Sequence, residues 1–178
     1  MKTTLIIFSG LPGTGKSTLA HLAVQKLQLP LLAIDEVVGA IPAHMRQHAN
    51  PYWDDMISIL LHLAASQLEL GLSVIIDSVF MGQDRYQAQE LARNYQAAFR
   101  PIYTYISDEQ LWEARVRQRH ETAPPEIKAE VATWERLQLQ RQDFYPWQPG
   151  SALFIDSLEP VEANLKRVLS FITASHVD

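Results

Sequence analysis

The chain has 178 residues, a net charge of −5 and no cysteine, with 47% apolar and 20% charged residues. This length can bury a sizeable core, and we predict a single domain over residues 1–178. The lack of cysteine excludes a disulfide framework and thiolate metal sites, and the acidic balance argues against a broad nucleic-acid surface. No stretch is long and apolar enough to span a membrane, so we expect a cytoplasmic protein without a membrane partner.

The first segment of the chain carries its most specific motif. Residues 3–9 are apolar and rich in strand formers, and the apolar residues from Leu19 to Leu27 recur at helical spacing. Between these segments, residues 10–18 fit the pattern G-x-x-x-x-G-K-[ST] at every fixed position. A glycine loop between a strand and a helix is the context in which this pattern binds phosphate.

Each part of this loop has a chemical reason. The glycines let backbone N–H groups approach a polyphosphate, and the positive end of the following helix dipole points to the same place. We expect Lys16 to reach the β- and γ-phosphates and the Ser17 hydroxyl to bind Mg²⁺. The residues predicted to bind the nucleotide are Gly10, Leu11, Pro12, Gly13, Thr14, Gly15, Lys16, Ser17 and Thr18.

Beyond the loop, apolar strands alternate with helices. We predict strands over 31–35, 73–77, 98–106 and 152–156. Helices are predicted over 51–70, 84–96 and 161–173. Two further helices lie between the last two strands, one from a Ser107–Gln110 capping box to a break at 120–125 and one from 125 to about 143. This alternation implies an α/β fold with a parallel sheet covered by helices on both faces. Ligands bind such sheets at the carboxyl ends of the strands.

Three acids stand at the predicted strand ends, namely Asp35, Asp77 and Asp156. Asp77 has the Walker B form, an apolar strand that ends in an acid, and we expect it to hold Mg²⁺ directly or through water. Ser78 follows it in place of a water-activating glutamate, which favours transfer to a bound acceptor over hydrolysis. The alternative for Asp77 is a cap of the following turn.

Asp35 is the predicted catalytic carboxylate. It would take the proton of an acceptor hydroxyl or orient that hydroxyl, because phosphoryl transfer mainly needs positioning and charge stabilisation. Glu36 is the competing carboxylate at this place. A purely structural cap at the end of the strand is the alternative for Asp35.

Arginines precede the predicted break at 120–125. Arg115 and Arg119 are four positions apart and share a helix face, whereas Arg117 points elsewhere. An arginine there can bind the β- and γ-phosphates in the transition state. The alternative is a solvated helix face, and Arg136 and Arg141 on the next helix are further candidates.

The acceptor pocket is predicted between the second strand and the long helix. Its candidate substrate contacts are Asp35, Arg46, Tyr52, Trp53 and, further along the chain, Arg85. His44 and His48 have a spacing compatible with metal binding on a helix, but no third ligand accompanies them. The long helix is apolar around more than one stripe, so it is either deeply buried or packs a partner, and a homodimer is compatible with this pattern.

Residues 10–18, Asp35, the segment 74–77 and the arginines of 115–119 resemble the P-loop small-molecule kinases. The similarity is to the group of zeta-toxin-like, chloramphenicol-phosphotransferase-like and gluconate-kinase-like enzymes, many of which are described as AAA-like ATP-binding proteins. The resemblance implies a P-loop NTPase three-layer sandwich with five parallel strands in the order 2-3-1-4-5. It also implies a small helical lid, here at about 115–143.

The resemblance implies an ATP-dependent kinase that moves the γ-phosphate of Mg-ATP to a hydroxyl of a small molecule. Lys16, Asp35, Arg115 and Arg119 are then the expected catalytic residues, with Arg115 also binding the nucleotide. Two alternatives remain open. One is a nucleotide-dependent switch or ATPase without a small-molecule acceptor, and the other is a kinase of polynucleotide ends.

Overall fold

Strands and helices alternate along the chain, as predicted. The computed structural model describes residues 3–42, 53–125 and 127–174, and it describes only the backbone of residues 53–55. The elements are β1 (Thr4–Ser9), α1 (Lys16–Leu27), β2 (Leu31–Ala33), α2 (Ile34–Ala40), α3 (Trp53–Glu69), β3 (Val74–Asp77), α4 (Gly82–Asn94), β4 (Ala98–Tyr105), α5 (Glu109–Thr122), α6 (Trp134–Asp143), β5 (Leu153–Asp156) and α7 (Val161–Thr173).

The strands form one parallel sheet in the order β2-β3-β1-β4-β5. This confirms the predicted α/β P-loop fold and its strand order. The strand β1 lies at the centre, with Phe8 opposite Asp77 of β3 and Ser9 opposite Tyr103 of β4. The loop that follows β1 therefore leaves the middle of the sheet, between the carboxyl ends of its two neighbours.

Successive side chains of the central strands enter different cores. Ile7 and Ile76 are fully buried against the side covered by α3 and α4, whereas Ile6 and Ile75 are fully buried against the side covered by α1 and α7. Side chains of a strand alternate between its two faces, so a strand covered on both faces is apolar throughout. This explains why β1 and β3 are continuous apolar runs.

A third apolar cluster covers the carboxyl edge of the sheet. It joins Leu11 of the phosphate loop and Val79 after β3 to Trp112 and Val116 of α5 and Leu137 of α6. The cluster fastens the two helices of the predicted lid segment directly above the end of β1. The lid as a functional unit over about 115–143 stays a prediction, as does the single-domain assignment.

The strand β2 ends two residues earlier than the predicted strand over 31–35. Pairing with β3 stops at Ala33, and Ile34 and Asp35 already belong to α2, with Asp35 and Glu36 in its first turn. Acids there are stabilised by the helix dipole. A short apolar run does not by itself distinguish a strand from a buried first helical turn, and Ile34 is buried in either case.

The starts of α5 and α6 also differ from prediction. The N-cap of α5 is Asp108, whose carboxylate accepts from the Leu111 amide at 2.9 Å, whereas the Ser107 amide donates to Asp156 at the end of β5. This helix continues through residue 120 to Thr122. Turns follow over residues 127–130, and α6 starts only at Trp134, where apolar packing against α5 begins.

The helix α3 buries one face and leaves part of its apolar surface exposed. Ile57 and Leu60 are fully buried, whereas Ile59 and Leu63 are each 42% exposed. A homodimer through this surface stays a prediction. Within the described ranges, no helix is both long and apolar enough to cross a membrane.

Ile7→Ala tests the importance of β1 for the core. The residue is fully buried, so we expect a loss of about 2–5 kcal/mol in the free energy of unfolding. Ile59→Ala is the matched control, and its free energy of unfolding should fall by only about 0.5 kcal/mol because Ile59 is partly exposed. Urea unfolding followed by circular dichroism measures both values, and equal losses would contradict this packing.

Candidate active site

The phosphate loop between β1 and α1 depends on glycine at Gly10 and Gly13. Both have positive φ, at 144° and 83°. A Cβ at Gly10 would lie 2.3 Å from the Thr104 carbonyl oxygen, which is part of the β4 backbone and cannot move aside. The loop therefore rests on β4 at a distance that only glycine permits.

Hydrogen bonds hold the loop from within and from β4. The Thr14 hydroxyl donates to the Leu11 carbonyl at 2.8 Å and lies 2.9 Å from the Thr104 hydroxyl. The Thr104 hydroxyl in turn donates to the Ser9 carbonyl at 3.2 Å. Both threonine side chains are buried, and so are Leu11 and Ser9, so these contacts are shielded from water. They fix the curvature of the loop where it leaves β1.

The helix α1 presents its positive end to the space inside the loop. Gly15 is its N-cap, Lys16 is its first residue, and its first turn contains no acid that would neutralise the dipole. Lys16 is only 7% exposed although it is charged. Free N–H groups, a helix dipole and a lysine at one place make an anion site, and a phosphate group fits it.

Asp77 lies at the end of β3 beside the start of α1. It is 4% exposed, and its Oδ1 atom has no hydrogen-bond partner among the residues that the structure describes. Burial raises the pKa of this carboxyl above its ordinary value of 3.8, although Lys16 and the Ser17 hydroxyl act in the opposite direction and Asp35 adds to the rise. A buried carboxylate oxygen without a partner, next to a serine hydroxyl, suits a hydrated Mg²⁺.

A cleft of about 470 Å³ opens beside the loop. Four predicted catalytic residues share its lining, namely Lys16, Asp35, Arg115 and Arg119. Other described residues of its lining are Gly13, Gly15, Ser17, Thr18, Leu19, Ser157, Glu159, Val161 and Asn164. The fold therefore brings together side chains that are distant in the sequence, since Lys16 and Arg119 are 103 positions apart.

Arg115 is held at one wall of this cleft by the loop after β5. Its guanidinium donates to the Ser157 hydroxyl at 2.9 Å and to the Ser157 carbonyl at 3.3 Å. The Ser157 amide donates to the Tyr105 carbonyl at 2.9 Å, so the acceptor of Arg115 is itself fixed to β4. This arrangement orients a permanent positive charge along the cleft.

Asp35 and Arg119 meet across the cleft. The Arg119 Nη2 atom donates to Asp35 Oδ2 at 2.8 Å, with the two side chains 45% and 66% exposed. Arg117 faces away from the cleft, as predicted, and pairs with Glu113 and Glu135. Glu36 is exposed and does not line the cleft.

Other predicted contacts lie elsewhere. Arg85 does not line the cleft, because its guanidinium lies 5.0 Å from the Phe144 ring centre and 4.8 Å from that of Trp147. Burial lowers the pKa of Arg85, and its Nε donates to the Phe80 carbonyl at 2.8 Å. Its contact with substrate stays a prediction. The candidates His44, Arg46, His48 and Tyr52, and the side chain of Trp53, lie outside the described residues.

The loop between β5 and α7 was not predicted as part of the site. It contributes Ser157 and Glu159, followed by Val161 and Asn164 of α7. The Asn164 amide group donates to the Asp156 carbonyl at 2.8 Å and so closes this loop. The signal was present in the sequence, since Asp156 ends a strand and residues after strand ends form the binding edge.

The AAA domain family matches residues 5–144, and the chain belongs to this family. No curated protein gives a significant match. The predicted resemblance to P-loop proteins of this kind is therefore confirmed at the level of the family.

Solved structures share the fold over nearly the whole chain. A proposed kinase from Chloroflexus aurantiacus is 24% identical with a TM-score of 0.76, and the alignment covers 97% of this chain and 100% of that one. A gluconokinase from Sinorhizobium meliloti is 14% identical with a TM-score of 0.69, covering 96% and 91%. The APS kinase of Mycobacterium tuberculosis, in complex with AMPPNP and APS, is 17% identical with a TM-score of 0.66, covering 97% and 99%. At these identities the likeness concerns the fold.

Asp77→Asn should become increasingly stable relative to the wild type as the pH rises from 3.8 to the raised pKa of Asp77. In that range the carboxyl of the unfolded chain ionises while that of the folded protein keeps its proton, so the free energy of unfolding of the wild type falls, and above the raised pKa the difference is constant. Thermal unfolding of both proteins across this range measures the difference.

Asp156→Asn is the control, because the pKa of Asp156 is shifted in the opposite direction to that of Asp77. Desolvation opposes the change, but hydrogen bonds from Ser107 and Leu158 lower the pKa of Asp156 below 3.8, so its stabilising contribution is lost only at lower pH. The difference between this variant and the wild type should stay flat over the same range. A flat profile for Asp77→Asn as well would contradict the raised pKa.

Proposed function

We propose that this protein is an ATP-dependent phosphotransferase whose acceptor is a hydroxyl group of a small molecule. One observation carries the proposal. The phosphate loop, a carboxylate at Asp35 and arginines at Arg115 and Arg119 line the same cleft. A donor site alone requires only the loop, whereas a carboxylate facing the loop supports transfer to a second substrate.

On the donor side, the loop and the start of α1 bind the β- and γ-phosphates, and Lys16 balances their charge. Ser17 and Asp77 would hold Mg²⁺, which when bound neutralises charge on the phosphates. Ser157 holds Arg115 beside the same phosphates. Each of these groups is in place before the substrates meet, so little reorganisation is needed at the moment of transfer.

On the acceptor side, Asp35 orients the hydroxyl or takes its proton as the oxygen attacks the γ-phosphorus. The bond from that phosphorus to the β-phosphate oxygen breaks, and ADP leaves with the electron pair. The exposure of Asp35 at the mouth of the cleft supports this role, because an acceptor can reach it from solvent. Glu36 does not line the cleft, which makes it the weaker candidate.

Arg119 must change partners in this scheme. In the structure it is paired with Asp35, and it cannot bind a γ-phosphate fully while it holds that carboxylate. Exposed ion pairs contribute only about 0–1 kcal/mol, so a triphosphate easily outcompetes Asp35 for the guanidinium. The exchange frees Asp35 for the acceptor and brings positive charge to the transferred group.

Lys16→Ala tests the donor site. We expect the dissociation constant for Mg-ATP to rise by at least about tenfold, because a charge-assisted contact with the phosphates is lost. Lys26→Ala, in the exposed last turn of the same helix, is the matched control and should bind as the wild type does. Isothermal titration measures both, and unchanged affinity in Lys16→Ala would refute the site assignment.

Arg119→Ala should lower kcat by about 100-fold, because a transition-state charge contact is removed. Arg117→Ala on the same helix should change kcat by less than about twofold, since its partners are Glu113 and Glu135 on the outer face. Steady-state phosphorylation assays compare the two. Equal effects would show that the arginine face was assigned wrongly.

The acceptor is found by screening hydroxyl-bearing metabolites for stimulated ADP release. We expect a true acceptor to raise the rate in the wild type and to lose this effect in Asp35→Asn by about 100-fold or more. Slow hydrolysis that no hydroxyl compound accelerates would instead favour a nucleotide-dependent switch or ATPase. Salt-dependent binding of a short oligonucleotide would favour a polynucleotide-end kinase.

A further inference from the structure

An indole from α5 touches the backbone of the phosphate loop. Trp112 is 6% exposed, and its Nε1–H donates to the Pro12 carbonyl at 2.8 Å across a sequence separation of 100 residues. The ring is packed in the apolar cluster above the sheet, as its place on an apolar helix stripe predicts. Its polar end makes a second contact that apolar periodicity does not reveal.

This hydrogen bond controls the direction of one particular amide. The chain has no cis peptide bond among its described residues, so the Pro12 carbonyl and the Gly13 N–H lie in one rigid plane and point in opposite directions. A carbonyl held towards α5 therefore turns the Gly13 N–H away from α5. Gly13 also lines the cleft, so an N–H directed away from α5 is available to a ligand in the cleft.

Neighbouring positions of the loop contribute less to an anion site. The Gly10 amide donates to the Val79 carbonyl at 3.3 Å, and the Thr14 amide donates to the Leu11 carbonyl at 3.4 Å. Pro12 has no N–H at all. Because the amides of Gly10 and Thr14 donate within the protein, phosphate binding by this part of the loop depends mainly on the orientation of the Gly13 amide.

The contact between indole and loop is close and supported from behind. A Cβ at Gly13 would lie 3.2 Å from Trp112 Nε1 and 2.8 Å from Val116 Cγ2, so the loop backbone lies directly on α5. Trp134 packs edge-on against Trp112 with ring centres 5.3 Å apart, and the Arg141 guanidinium lies 5.3 Å from the Trp112 ring centre. These neighbours on α6 restrict the rotation of the indole.

We propose that Trp112 is a positioning residue for phosphate binding. Its indole N–H holds the 12–13 peptide so that the Gly13 N–H points at the bound polyphosphate, and it does so through the loop rather than by touching the nucleotide. The proposal rests on the nucleotide site proposed above. It gives α5 a role in the donor site that is separate from that of its arginines. At position 112 it requires an N–H donor as well as a large ring.

Trp112→Phe keeps an aromatic ring at the site and removes the N–H donor. We expect the dissociation constants for Mg-ATP and Mg-ADP to rise by roughly 3- to 10-fold, the effect of one lost hydrogen bond. Trp134→Phe is the matched control, since it makes the same change one ring further from the loop, and it should stay within about twofold of the wild type. Isothermal titration gives the affinities, and thermal unfolding compares the folds.

The binding measurements distinguish a failure of the role proposed for Trp112 from a failure of the proposed nucleotide site. Weaker binding in Trp112→Phe alone, with both variants unfolding near the wild-type temperature, supports the proposal. Unchanged binding in Trp112→Phe, or an equal loss in both variants, overturns it. If the wild type itself binds no nucleotide, the proposed function fails first, and that result is visible before any variant is compared.

A second measurement uses the unaltered chain and so does not depend on the folding of a variant. In the ¹H–¹⁵N spectrum of the wild type, the indole proton of Trp112 should exchange with solvent slowly, and Mg-ADP should shift the Gly13 amide. Fast exchange of this indole proton would overturn the proposal, because a buried proton hydrogen-bonded to Pro12 is protected.

Discussion

The approach of Gly10 to β4 is the contact on which the site depends. Any side chain at Gly10 would overlap the Thr104 carbonyl, so the backbone of the loop and the end of the strand are in direct contact. From there the loop runs under Trp112 and into α1, which carries Lys16 and Ser17. The position of the loop is therefore set by backbone contact with β4, and the Trp112 side chain adds a second contact to it.

The cleft concentrates positive charge in an acidic protein. The chain has a net charge of −5, yet Lys16, Arg115 and Arg119 share one lining with Asp35. Helix α1 adds its dipole to this set, and its first turn has no acid to cancel it. Local arrangement, rather than total charge, determines which ligand is attracted, because screening limits charge effects to about 10 Å at moderate salt.

The sequence predicts the sheet well because β1 and β3 are buried on both faces and leave continuous apolar runs. It predicts the loop well because the fixed residues of the phosphate-binding pattern follow one another within eight positions, and Gly10 and Gly13 have the positive φ that glycine permits. It does not predict the pairing of Asp35 with Arg119, or the contact of Ser157 with Arg115, because neither leaves a periodic pattern in the chain. The late start of α6 at Trp134 was missed for the same reason, since it depends on packing against Trp112.

The connector between α6 and β5 limits how the arginine-bearing segment can move. Trp147 donates through its indole N–H to the Ser9 hydroxyl at 2.9 Å, and Arg85 lies against both Trp147 and Phe144. Trp112 attaches the other end of the segment to Pro12. One attachment is therefore at the end of β1 and the other is within the phosphate loop. Any displacement of this segment would therefore act directly on the backbone at the end of β1 or in the phosphate loop, so the position of the arginines and the shape of the loop depend on each other.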